Sequence, residues 1–197
     1  PAPPTMDDYA RWIAAAMDAM GIREAHMVGH HTGAGITVAL AAADPARVAS
    51  ATLIGPSILT SEERQAFAAR LGKPFRPVAS GAYLLKNWEY LRVGGAGADV
   101  ALLHAEMVDQ LRAWLPRSHA YAAAWAQDFT ALFAALKAPT LIMCAPGDIL
   151  YPYFERAKAM RPDARAVELS GGANYEPDLC PEEIARAIAE HVDGQSV

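Results

Sequence analysis

The stretch from His26 to Ile36, HMVGHHTGAGI, constrains the fold more than any other part of the chain. An apolar run stops at Gly29, two histidines follow, and small residues from Thr32 to Ala43 then carry helical character as far as Asp44-Pro45. A strand that turns so tightly into a helix needs glycine where a side chain would collide, and Gly29 and Gly33 stand on either side of His31. The next segment, RVASATLIGPS, is again an apolar run, closed by Gly55-Pro56. Strand, tight turn, helix and strand in that order predict parallel pairing, because a helical crossover returns the chain to the same end of the sheet.

The alternation extends in both directions. Thr5 and Asp8 have capping-box spacing, and Tyr9, Ile13, Met17 and Met20 recur at helical intervals until Gly21, which predicts a helix over Met6 to Met20. Ala25 to Val28 reads as a short strand buried on both faces, as central parallel strands are. Residues 58 to 115 interrupt the pattern with three helical segments, TSEERQAFAARLG, GAYLLKNWEYLRV and ADVALLHAEMVDQLRAW. AYAAAWAQDFTALFAAL predicts one helix ending near Lys137. Beyond it the alternation resumes: strand PTLIMCA, loop PGDILYP, helix Phe154 to Met160, strand ARAVELS, loop GGANYEPDLC and helix PEEIARAIAEHV. The organisation expected is one α/β domain with a parallel sheet and helices on both faces: core over 1–57, helical insertion over 58–115 and core over 116–197.

Composition narrows the partners. With 53% apolar residues the chain can bury a real core, and a net charge of −5 leaves no basic stripe for nucleic acid or an anionic membrane. No run approaches the ~18 uninterrupted apolar residues of a membrane span. Cys144 and Cys180 are too few and too scattered for a disulfide framework or a zinc motif, so the expectation is a cytoplasmic protein with no cofactor and no metal. A small-molecule partner fits best, and a homo-oligomer is left open.

The order of elements and the loops together resemble the α/β-hydrolase family. Gly29-His30-His31-Thr32-Gly33 is similar to its nucleophile elbow, G-x-S-x-G, with His31 where the nucleophile stands, and the helical insertion after the next strand is similar to its cap. The resemblance implies that Asp148, in the loop after PTLIMCA, is the acid, and that Asn174, in SGGANYEPD, stands where the family has its histidine. It also implies an oxyanion donor in the Thr32 N–H. A second donor and the first half of the family's sheet would lie upstream of this chain. Ala25 to Val28 would then be left with an unpaired edge, so a missing N-terminal half or a partner strand is expected beside it.

Each candidate has two readings. His31 sits at a helix N-terminus, where the dipole favours the neutral ring, and could serve as base or nucleophile; otherwise the nucleophile has been lost and the site only binds. Asn174 cannot shuttle a proton, so it either orients a ligand or His31, or is a satisfied loop amide. Asp148 is an orienting carboxylate or a helix cap near Tyr151. His30, beside the elbow, is packing or pocket wall. In the insertion, His104, Asp109, Arg112, Trp114 and His119 are pocket candidates, although Met107, Leu111 and Trp114 share one helical face and read equally as core. Two functions follow: an enzyme acting on a small apolar carbonyl compound (ester, lactone or C–C bond), or a catalytically silent protein that binds a ligand or serves as a scaffold.

Overall fold

The computed structural model describes residues 2–71 and 73–194. Helix α1 (Met6–Ala19) opens on the expected capping box between Thr5 and Asp8 and leads to β1 (Ala25–His30). α2 (Thr32–Ala43) follows the elbow, and β2 (Val48–Ile54) returns alongside β1. Next come α3 (Ser61–Arg70), α4 (Ala82–Val93), α5 (Val100–Arg112), α6 (Pro116–Ala126) and α7 (Phe129–Ala135). β3 (Thr140–Cys144), α8 (Phe154–Met160), β4 (Arg165–Glu168), the short α9 (Glu176–Leu179) and α10 (Pro181–Asp193) follow. Gly72, the last residue of the first helical segment expected in the insertion, lies outside the described residues.

The four strands form one parallel sheet in the order β1-β2-β3-β4. Period-two alternation sorts their side chains onto two cores. Ala51, Leu53, Ile142 and Cys144 face α1, α2, α7 and α8, whereas Ile54, Leu141 and Met143 face Ile184 and Ala187 of α10. His30 pairs with Ile54, and Ile54 with Met143, so the carboxyl ends of the first three strands lie level and their following loops meet at one edge.

Two expectations need correction. Ala25 to Val28 is not buried on both faces: Met27 packs on the α1–α2 side, but His26 is exposed and Val28 is 49% exposed. The cause is position, since β1 is an edge strand among the described residues and the buried apolar cluster beneath α10 draws on β2 and β3. The long helix expected to end near Lys137 is two helices, α6 and α7, separated at Gln127-Asp128. Asp128 caps α7 by accepting from the Ala131 N–H, and Gln127 turns aside to donate its Nε2 to the Gly35 carbonyl at 2.9 Å.

Candidate active site

The elbow is tight for steric reasons. A Cβ on Gly29 would lie 2.3 Å from the Gly33 carbonyl oxygen, so only glycine lets β1 and α2 approach this closely. His31 between them adopts φ 47° and ψ −106°, a conformation that costs a non-glycine residue ~1–3 kcal/mol. It is held there from both sides, its N–H donating to the Ile54 carbonyl at 2.9 Å and its carbonyl accepting from the Gly35 N–H at 3.3 Å. Strain of this kind projects the side chain out of the strand–helix corner and over the sheet edge.

There His31 meets the acid loop. Its Nε2 lies 2.6 Å from Asp148 Oδ2, and the carboxylate can only accept, so Nε2 carries the proton and Nδ1 keeps the lone pair. The Asp148 side chain is fully buried, while that of His31 is 23% exposed. Burial alone would raise the Asp148 pKa, but hydrogen bonding and charge attraction from His31, with further hydrogen bonds from Glu176 and the Leu150 N–H, outweigh it and hold the carboxyl below its usual range. Asp148 Oδ1 also accepts from the Leu150 N–H and so caps the turn that follows it.

A second pair lies beside the first. The rings of His30 and His31 stack with centroids 4.0 Å apart, and His30 Nε2 is 3.1 Å from Oε2 of Glu176, whose side chain is fully buried. Burial, with Asp148 as a neighbouring negative charge, pushes the Glu176 carboxyl up to about 9. Burial, reinforced by His31, pushes His30 down to about 3. Near neutrality this second pair is therefore uncharged, and the ionised carboxylate of the cluster is Asp148.

The Glu176 shift has a consequence for stability. In the unfolded chain this carboxyl loses its proton near pH 4.5, whereas in the fold it keeps it to about 9, so folding takes up a proton throughout that window. The stability this group contributes therefore falls as pH rises from about 4.5 to about 9. A glutamine at the same position has no proton to retain. In EDTA-containing buffer the melting temperature of Glu176→Gln should gain steadily on wild type between pH 5 and pH 9, and a difference that stays constant over that range would contradict the assignment.

The two histidines of the cluster form part of the floor of a cavity of about 1020 Å³, large for a small-molecule site, with the two carboxyl groups buried behind them. Thr32 lines it and begins α2, where the first N–H groups of a helix have no intrahelical acceptor. His30 and Asp109 also line it, as does Asn174. Asn174 nevertheless does not orient His31: its Oδ1 accepts from the Ile149 N–H at 3.0 Å and its Nδ2 donates to the Gly94 carbonyl at 2.7 Å. Both ends of the amide are thus hydrogen-bonded within the fold, and they tie the acid loop to the end of α4. The last-loop residue that touches the cluster is Glu176, two positions on, and its only signal in the sequence is an acid before proline in a glycine-rich loop.

The remaining pocket candidates fall elsewhere. His104 is exposed, Arg112 is exposed beside Asp109, and Trp114 and His119 are half-buried, but none of the four lines the cavity. Helical phase explains this, since α5 and the turn after it present Glu106, Asp109, Gln110 and Ala113 to the cavity and so turn His104, Arg112 and Trp114 away. From α6 it is Arg117, Tyr121, Ala124 and Trp125 that line the cavity. The Arg117 guanidinium stacks over Tyr90, Tyr121 and Phe75 and donates to Tyr90 Oη at 2.8 Å, with no carboxylate in ion-pair range among the described residues. Met107 and Leu111 pack with Leu91, Ala96 and Leu103 as a core of their own.

Comparisons with known proteins agree with this architecture. A family model described as the alpha/beta hydrolase fold matches residues 1–82. The Variovorax paradoxus protein assigned as carbamate hydrolase RutD is 31% identical over 151 residues, which are 74% of this chain and 56% of that protein. The chain thus spans little more than half the length of that curated relative. The crystal structure of E-2-(acetamidomethylene)succinate hydrolase superimposes with a TM-score of 0.73 at 21% identity, covering 96% of this chain and 74% of the other. The enol-lactonase from Burkholderia xenovorans does so with a TM-score of 0.68 at 18% identity, covering 97% and 74%. Among the described residues no helix is long and apolar enough to cross a membrane.

Proposed function

We propose that this chain, which has the α/β-hydrolase fold, cleaves a small carbonyl compound by general-base catalysis from His31. The observation that carries this reading is the 2.6 Å contact between the elbow ring, which lines the cavity floor, and the acid buried behind it. Asp148 holds Nε2–H, which fixes the tautomer and leaves Nδ1 to take a proton. A water losing its proton to Nδ1 adds to the substrate carbonyl, the Thr32 N–H stabilises the oxyanion, and the imidazolium, steadied by Asp148, returns the proton to the leaving group. No hydroxyl nucleophile is required, which accounts for a histidine at the elbow and a non-basic amide at position 174.

The substrate class follows the fold's relatives and the cavity. Esters and lactones fit, and so do carbamates and activated C–C bonds, given the hydrolase names of the similar proteins. The helices of the insertion over 58–115, α3 to α5, act as the cap, and Arg117 of α6 gives an anionic or strongly polar far end of the substrate a cation to meet. The free side of β1, with His26 and Val28 exposed, is where a further strand of the natural protein or of a partner would complete the sheet.

A silent binding protein is the second reading, favoured by the size of the cavity and by an amide in place of a histidine at position 174. A screen of the full-length natural protein against short acyl esters, lactones and carbamates separates the two, with a fluorophosphonate probe run in parallel. The proposed mechanism predicts turnover without covalent labelling, because fluorophosphonates need an activated hydroxyl. Stoichiometric labelling of Ser57, the serine among the cavity-lining residues, would instead place the nucleophile there.

A further inference from the structure

The four residues of the two stacked pairs do more than orient one another. One ligand-type atom from each of His30, His31, Asp148 and Glu176 falls within 4.8 Å of all the others. They come from the elbow, the acid loop and the start of α9, so no spacing motif in the sequence announces them. We propose that these side chains form a binding site for a single divalent transition-metal ion of the zinc class, with two imidazole nitrogens and two carboxylate oxygens as ligands.

Three observations support the site. The donor set suits zinc-like ions, which take imidazole and carboxylate at about 2.0–2.2 Å, and tetrahedral ligands around such an ion stand ~3.3 Å apart. The two hydrogen-bonded pairs, at 2.6 Å and 3.1 Å, are already near that separation, so closing the remaining gaps needs only side-chain rotation. Both carboxyl groups are fully buried, whereas the histidine side chains are 23% and 29% exposed toward the cavity, which gives an ion a way in. Once Glu176 releases its proton to the incoming ion, two carboxylates, two neutral imidazoles and a dication bring the buried charge of the loaded site to zero.

The binding does not rest on the proposed reaction, but its effect on turnover does. A neutral imidazole that gives one nitrogen to a metal carries its proton on the other, so a loaded His31 has no lone pair for base catalysis. Four protein ligands also leave a tetrahedral ion no open position for water. The loaded site is accordingly a switched-off state, and the metal is a regulator of this cavity.

The test is a titration of EDTA-stripped, full-length protein with Zn²⁺ against a chromophoric chelator, with no substrate present. Wild type should take one equivalent. His30→Ala and the isosteric Glu176→Gln should each weaken binding about 100-fold or more, since even outer-shell partners are worth ~10–100-fold. Circular dichroism shows whether each variant is folded. Co²⁺ bound to wild type should give the visible spectrum of a four-coordinate ion, and Mg²⁺ should not compete. Less than one equivalent bound by wild type, or equal affinity in the folded Glu176→Gln and His30→Ala variants, would overturn the site. Tight binding that leaves measured turnover unchanged would keep the site and overturn the base role of His31.

Discussion

Asp148→Asn is expected to lower kcat by about 10⁴ while leaving KM nearly unchanged. This is the loss that follows when the orienting carboxylate of a Ser-His-Asp triad becomes an amide. The reason is the tautomer. Asp148 can only accept from Nε2–H, whereas an asparagine amide can turn its NH2 toward the ring and draw the lone pair to Nε2, leaving the proton on Nδ1. The ring would keep its place and lose its basicity, and the charge that steadies the imidazolium would be gone. Steady-state kinetics on one ester or lactone substrate, with circular dichroism to confirm the fold, checks this. A large rise in KM at constant kcat would mean that Asp148 binds substrate and does not orient the base.

Gly55→Ala should lower kcat by about 10²-fold or more, although Gly55 carries no group that reacts. Gly55 has φ +60° and lies under the dyad, where an added Cβ would meet His31 Cδ2 at 2.3 Å, His31 Nε2 at 2.6 Å and Asp148 Oδ2 at 3.3 Å. The colliding atoms belong to the far end of a side chain that faces the cavity, so the ring swings away and the chain still folds. Alanine at positive φ costs on the order of 1 kcal/mol or more of stability. The displaced ring can no longer hold 2.6 Å to Asp148, and a misplacement of about 1 Å costs ~10²-fold in rate or more. Melting temperature and kcat measured together decide the matter: a modest drop in the first with a large drop in the second is expected, and wild-type kcat would show that the dyad is not needed.

The fold is legible in the sequence because two independent signals agree along most of it. Apolar runs with β-branched residues alternate with helical periodicity, and glycine or proline stands at the joins, as at Gly29, Gly55 and Asp44-Pro45. His31 and Asp148 are legible for the same reason, since each follows an apolar strand of the sheet. What stays hidden depends on relations between distant segments. Whether β1 has a covered second face depends on which strands the cluster beneath α10 draws on, and neither segment states this alone. The break between α6 and α7 is marked in the sequence by Asp128, but the alanine-rich flanks outweigh one capping residue.

Within the site, the last loop points two positions away from the residue that matters. GGANYEPD contains an amide and an acid, and only the fold shows that Asn174 turns outward to Ile149 and Gly94 while Glu176 reaches His30. Gly55 looks like ordinary turn punctuation, because nothing in LIGPS says that a histidine ring lies where its Cβ would be. The insertion misleads most. His104, Arg112, Trp114 and His119 draw attention by their chemistry, but helix phase decides which residues face the cavity, and it selects Glu106, Asp109, Arg117 and Tyr121.

Whether the elbow histidine is itself the catalytic base is decided most directly by one comparison. It is kcat/KM for the full-length natural protein and its His31→Ala variant on the same short acyl ester or lactone, in EDTA so that no metal occupies the cluster. A loss of at least ~10⁴-fold is predicted, no smaller than that of Asp148→Asn, with the fold retained because His31 is partly exposed at the cavity floor. Equal turnover by the two proteins, or none by the wild type on any carbonyl substrate tried, would contradict a base at the elbow.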